Sequence, residues 1–182
     1  MSEREHIRLE FLNRVGLGDA VRVPLPGDAS TRRYERLVSP SGVRLMLMDQ
    51  EAAAESPPCD PSWTPQQRRA SGWNAVARLS AGRIEAFAAV ASYLRSQGLS
   101  APDIVALDTG AGLAVLEDYG DTLFARSLET GADEEALYRA AIEVMVHLHE
   151  DRPPDVLKGP GGDWPLQVYD HTALQGGADL FV

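Results

Sequence analysis

Apolar and polar residues alternate twice near the start of this chain. Val21, Val23 and Leu25 alternate with Arg22 and Pro24, and Tyr34, Arg36 and Val38 alternate with Glu35 and Leu37. A period of two marks a half-buried strand, so the two segments are expected to pair. Between them Pro26-Gly27-Asp28-Ala29-Ser30-Thr31-Arg32-Arg33 forms a small, polar, cationic turn. Such a turn is either a plain hairpin connection or a cradle for an anion such as phosphate. The flanking segments complete a sheet: residues 43 to 49 follow the turn Ser39-Pro40-Ser41-Gly42 as a third strand, and 104 to 107 and 113 to 117 read as two more.

Helical spacing appears on either side. Ile7, Phe11 and Val15 define one face over residues 3 to 15, with Gly16 as the stop. Ile84, Phe87, Ala88, Ala91 and Leu94 define another over about 83 to 97, which Gly98 ends. From Glu51 to Ala81 alanine, proline, serine and arginine dominate, an exposed insertion in which Thr64-Pro65-Gln66-Gln67 announces a short helix near 65 to 79. Trp63 and Trp73 are suited to anchoring that insertion. After the acidic bend Glu117-Asp118-Tyr119-Gly120-Asp121 the period changes to helix. At 133 to 150, Leu137, Ala140, Ala141, Val144, Met145 and Leu148 predict a core-facing stripe. Asp118 and Asp121 are also placed to cap a helix starting near Thr122.

Composition narrows the function. A chain of 182 residues with 44% hydrophobic content is long enough for one sizeable core or two small lobes. A net charge of -10 disfavours a nucleic-acid or anionic-membrane surface, because those surfaces release counterions from phosphates. The local cluster Arg32, Arg33 and Arg36 therefore points to the phosphate of a small molecule. The charged segment Met1 to Glu10 has no apolar core of a secretion signal, so a cytoplasmic protein is expected. Cys59, in Pro-Pro-Cys-Asp-Pro, is expected to be a free thiol. His147 and His149 lie two apart and point in different directions, as helix-end residues rather than a metal pair. Lys158 is the single lysine, so all other cationic side chains are arginines.

Several strings in order carry a resemblance: Gly27-Asp28-Ala29-Ser30-Thr31-Arg32-Arg33-Tyr34, Leu47-Met48-Asp49, Leu116-Glu117-Asp118-Tyr119-Gly120-Asp121, Leu148-His149 before Pro153-Pro154, and Trp164-Pro165-Leu166 with Tyr169-Asp170. Together they resemble the aminoglycoside phosphotransferase-like kinases, in the branch of bacterial cell-wall-recycling enzymes that phosphorylate N-acetylmuramate and N-acetylglucosamine at the anomeric hydroxyl. The resemblance implies an α+β protein-kinase-like N-lobe, a five-stranded mostly antiparallel sheet plus a helix, followed by the first helices of a truncated C-lobe. It divides the chain into 1–118, with the insertion near 51–81, and a hinge with an incomplete helical lobe over 119–182. It implies a phosphotransferase acting on an alcohol group of a small sugar acceptor, with ATP and Mg²⁺ as cofactors.

The same resemblance assigns the phosphates to Ser30, Thr31 and one of the arginines Arg32 and Arg33. It assigns the edge of adenine to backbone groups of Glu117 and Tyr119. The third strand, Val43-Arg44-Leu45-Met46-Leu47-Met48-Asp49, lacks the lysine of general kinases, so a loop arginine is expected in its place, and Glu85 is the nearest acid to pair it. By alternation Arg32 and Arg33 leave the loop on opposite faces. No catalytic residue and no metal ligand is assigned. Asp170-His171 is not followed by the asparagine of a catalytic loop, and Asp179-Leu180-Phe181-Val182 lacks the glycine of a magnesium-binding motif. The chain alone is expected to be inactive. The alternative is a non-catalytic, nucleotide- or partner-binding kinase-like module.

Overall fold

The strand segments pair edge to edge. In this computed structural model, which describes residues 1–27, 30–79 and 82–181, β1 (Val21–Pro24), β2 (Arg33–Val38), β3 (Arg44–Asp49), β4 (Ile104–Asp108) and β5 (Leu113–Glu117) form one sheet in the order β1-β2-β3-β5-β4. Every pairing is antiparallel. The expected five-stranded sheet is therefore the observed one. Gly112, at φ +65, joins β4 to β5 where a side chain would meet the Gln50 carbonyl, so the turn requires glycine.

Alternation gives the sheet two different faces. On one, Leu37, Leu47, Leu113 and Val115 are nearly inaccessible beneath Phe11 and Leu12 of α1 (Glu3–Arg14). On the other, Met48, Ala114 and Leu116 pack against Ile84 of α4 (Ile84–Ser96), with Tyr34, Met46 and Phe87 at the margin. Each leucine so covered stabilises the fold by roughly 1.5–3 kcal/mol relative to exposure.

Charge also fastens α1. Arg8 Nη1 donates to Glu35 Oε1 (2.7 Å), Arg22 Nε donates to Glu35 Oε2 (2.6 Å), and Arg4 Nε donates to Asp49 Oδ1 (2.9 Å). Glu35 and Asp49 are buried, a position tolerable for carboxylates only when paired. Arg22 also bonds Glu5, which lowers the Glu5 pKa and links helix, edge strand and second strand in one network.

Three expectations are corrected. The helix foreseen over 65 to 79 is two, α2 (Pro65–Ser71) and α3 (Trp73–Ala77), because Gly72 adopts φ +87 between them. The predicted capping box at Thr64 and Gln67 is present. The helix foreseen at 133 to 150 is α6 (Glu134–Glu150), yet its apolar stripe is solvent-exposed, since no layer covers it among the described residues. Asp118 and Asp121 do not cap α5 (Phe124–Glu129), whose N-cap is Leu123; both are engaged by arginines instead.

A second hairpin was not foreseen. Strands β6 (Val156–Gly159) and β7 (Gly162–Pro165) pair with each other and lie against α4, where Gly159 approaches the Ala89 backbone so closely that a Cβ would overlap it. Helix α7 (His171–Ala178), followed by a 3-10 turn over Asp179–Phe181, packs on α3. Arg78, at the left-handed φ of 58, ties this region together: it donates to the Ala75 carbonyl (2.7 Å), to Cys59 Sγ (3.2 Å) and to Asp170 Oδ2 (2.7 Å). Cys59 is a free thiol, buried rather than loop-exposed. Asp170 is also the N-cap of α7, donated to by the Ala173 amide (3.1 Å).

Candidate functional site

The loop between β1 and β2 is closed at its base by the Leu25 amide, which donates to the Tyr34 carbonyl (2.9 Å). Its expected members Asp28 and Ala29 lie outside the described residues. Ser30 Oγ accepts from the Arg32 amide (3.1 Å), a local turn that sets where Arg32 leaves the loop.

Arg32 and Arg33 leave on opposite faces, as alternation requires. Arg32 Nε donates to Oε1 of the buried Gln50 (3.2 Å), and its guanidinium lies 5.7 Å from the centre of the Phe87 ring. That stacking is a cation–π contact, which fixes the guanidinium plane along α4. Beyond it runs an apolar slot of about 270 Å³ bordered by Arg32, Phe87, Leu94, Pro102, Trp164 and Leu166. Thr31 and Arg33 instead line a separate polar cleft on the α1 side. The structure thus does not gather the four loop residues round one point.

The expected partner of a loop arginine is elsewhere. Glu85 is buried and bonded to Arg83 at the start of α4, and this bond lowers its pKa. Gln50 occupies the role foreseen for an acid, and sequence spacing gave little hint of it beyond its position at the end of β3.

At the other end of the strands the chain leaves the sheet through Glu117, Asp118 and Tyr119. The Glu117 amide already donates to the Asp103 carbonyl (2.9 Å), and its carboxylate accepts from the Asp103 amide (3.2 Å). The amide of Tyr119 makes no hydrogen bond among the described residues, and its side chain is exposed. Of the two expected backbone contacts, the donor is therefore available at Tyr119 and not at Glu117.

Asp118 pins this crossover to the sheet. Arg36 Nε donates to Asp118 Oδ2 (2.7 Å), Arg36 Nη2 donates to Asp121 Oδ1 (2.9 Å), and Arg44 Nη2 lies 3.2 Å from Asp118 Oδ2. Burial opposes ionisation of Asp118, but the bonds from Arg36 and the Gly120 amide outweigh it and lower its pKa. Arg36 responds in the opposite sense: its bonds to Asp121 and Asp118 raise its pKa. These arginines were legible as a basic cluster; their acidic partners were legible only as an acidic bend.

Register relates the two ends. Arg33 pairs with Asp49 and Asp49 with Leu113, whereas Glu117 pairs with Leu45. Leu113 to Glu117 is four residues along β5, about 14 Å at roughly 3.4 Å per residue. The loop and the crossover are thus opposite ends of one surface. Among the described residues no group of three or more His, Cys, Asp and Glu is arranged to hold a metal, and no helix is long and apolar enough to cross a membrane.

A five-stranded antiparallel sheet, a helix on the face that carries Arg32, and a crossover pinned by Arg36 together make a kinase-like N-lobe. The chain belongs to the phosphotransferase enzyme family (APH), whose profile matches residues 21–166. It is 50% identical over 181 residues to an N-acetylmuramate/N-acetylglucosamine kinase of Caulobacter vibrioides, a match that covers 100% of this chain and 50% of that protein. The chain spans half the length of that relative. The protein is a phosphotransferase-family chain resembling an amino-sugar kinase.

Proposed function

We propose that this chain is the nucleotide-clasping part of an ATP-dependent kinase that phosphorylates a hydroxyl of N-acetylmuramate or N-acetylglucosamine during cell-wall recycling. The observation that carries the reading is the register: loop and crossover stand about 14 Å apart on one sheet, the span of an extended nucleoside triphosphate. Because α1 seals the opposite face, the nucleotide runs along the α4 face. The free amide of Tyr119 and the carbonyl of Glu117 meet the adenine edge. Ser30, Arg32 and the backbone through Thr31 and Arg33 meet the phosphates.

Arg32 suits that role. Its Nε is used by Gln50, which leaves both terminal amino groups to neutralise phosphate charge from a fixed plane. The contribution of these residues is positional and electrostatic. Magnesium, on which phosphoryl transfer depends, finds no ligand set among the described residues, and no acceptor-orienting base is assigned there. Residues 1–118 then serve as the N-lobe, with 51–81 inserted, and 119–182 begin the helical lobe, where the apolar face of α6 awaits further helical chain. Use of ATP puts the protein in the cytoplasm, where Cys59 stays reduced.

Calorimetric titration of this chain with Mg-ATP tests the reading. Binding is expected, with Arg32→Ala weakening it roughly tenfold or more, the equivalent of about 1.4 kcal/mol. No ATP-dependent phosphorylation of N-acetylmuramate is expected from the chain alone. Absence of nucleotide binding overturns the nucleotide reading; turnover overturns the claim that the chemical machinery lies elsewhere.

A further inference from the structure

The polar cleft on the α1 side lies outside the proposed nucleotide path. It has a volume of about 570 Å³ and is bordered by Arg4, Arg8, Thr31, Arg33, Glu51 and Asn74. Three arginines meet here, and they are not equivalent. Arg4 is held by Asp49 and by the Ala111 carbonyl (2.7 Å), and Arg8 by Glu35 and Glu5. Arg33 is exposed and has no ion pair or hydrogen bond among the described residues. Its charge is the surplus of the cleft.

Donor capacity is also in surplus. Arg8 Nε is buried with no hydrogen-bond acceptor, its approach to Asp49 Oδ2 being 3.5 Å. A buried guanidinium donor left unmet costs free energy that an incoming anion recovers. The carboxylates at the cleft do not cancel this, because Asp49 already faces Arg4 and Arg8. The walls are of another kind: Asn74, Glu51 and Ser2 offer amide, carboxylate and hydroxyl groups suited to the hydroxyls of a sugar. The volume exceeds a bare phosphate and is within the range of small-molecule pockets.

We propose that this cleft is a second ligand site that takes a phosphorylated sugar, with the phosphate on Arg33 and the Thr31 hydroxyl and the sugar against Asn74 and Glu51. The ligand bridges β2 and the chain after β3 to α3. Because Thr31 and Arg33 alternate with Arg32, a ligand here holds the same loop from its outer side. Occupancy thus tunes the loop without entering the slot beside Phe87. The site stands whether or not the nucleotide reading does.

Titration of this chain with N-acetylglucosamine 1-phosphate, followed by calorimetry and by backbone amide shifts of Thr31, Arg33 and Asn74, decides it. Binding is expected, inorganic phosphate alone binding more weakly and unphosphorylated N-acetylglucosamine not detectably. Arg33→Ala, a change at an exposed and unpaired side chain, is expected to weaken the sugar phosphate at least tenfold while Arg32→Ala leaves it unchanged. Unchanged circular dichroism checks that both variants fold. Equal affinity in Arg33→Ala, or no binding at millimolar ligand, overturns the proposal. Competition with Mg-ATP overturns it differently, by assigning the cleft to the nucleotide itself.

Discussion

The sheet and helix α6 carry the same kind of pattern and meet opposite fates. Leu47 and Leu113 are at 0% exposure between α1 and α4, whereas Ile142 and Met145 of α6 stand at 57% and 58%. Periodicity in each case defines an apolar face; it does not say what will cover it. In the sheet the covering helices come from within the same hundred residues, and in α6 no described element supplies the layer. The sharpest test compares the two regions directly. Leu47→Ala is expected to cost about 2–5 kcal/mol, from lost transfer energy plus a cavity that strands on both sides cannot close. Met145→Ser is expected to change stability by less than about 0.5 kcal/mol. Urea denaturation of both variants measures this, and a cost of 2 kcal/mol or more at Met145 would mean that the stripe is covered in solution.

That contrast also explains which features were readable beforehand. The sheet was legible to within a residue or two because alternation at Val21 to Leu25, Tyr34 to Val38 and Leu113 to Glu117 is a local signal, reinforced by turns rich in glycine and proline. The opposite exits of Arg32 and Arg33 followed from the same period of two. The split at Gly72 was not legible, since a positive φ there is imposed by how α3 meets α7. Gln50 beneath Arg32 and the clamp of Arg36 on Asp118 were hidden for a related reason: each joins residues far apart in sequence, 18 and 82 positions, by a contact that only the folded register creates. The hairpin β6–β7 was masked by short strands of glycine, lysine and aspartate, which carry no apolar alternation.

Two adjacent glycines in α7 sharpen the comparison between a covered and an uncovered face within one helix. Helical glycine costs about 1 kcal/mol relative to alanine, so the pair looked unfavourable in isolation. At Gly176 an added Cβ would lie 2.9 Å from Val76 Cγ1 and near the Trp73 ring, so the close approach of α3 requires the missing side chain. At Gly177 the same atom would meet only Tyr169 Oη at 3.5 Å, ordinary contact. Gly177→Ala is therefore expected to stabilise by up to about 1 kcal/mol, while in Gly176→Ala the propensity gain is cancelled or reversed by the shift forced on Val76. Thermal unfolding separates them. Equal gains from the two substitutions would remove the packing reason for Gly176.

The smallest effect concerns how α6 is tied to the sheet half. His147 Nε2 lies 2.9 Å from the Gln97 carbonyl at the end of α4, and Nδ1 lies 3.1 Å from Glu150 Oε2. Both partners are acceptors, so the ring satisfies both only when each nitrogen carries a proton. The Gln97 bond first, and then Glu150, accordingly raise the His147 pKa above its ordinary 6.5. A raised folded pKa means that the tie is fully present below the unfolded value and is lost as pH rises through the folded one. Proton NMR titration is expected to give His147 a midpoint above 6.5, with amide exchange in the last turn of α6 accelerating beyond its intrinsic rate over the same interval. In His147→Ala that extra acceleration should vanish, because no titrating donor remains to hold the Gln97 carbonyl. A midpoint at or below 6.5 would show that α6 is not fastened there and leave its position to whatever covers its apolar stripe.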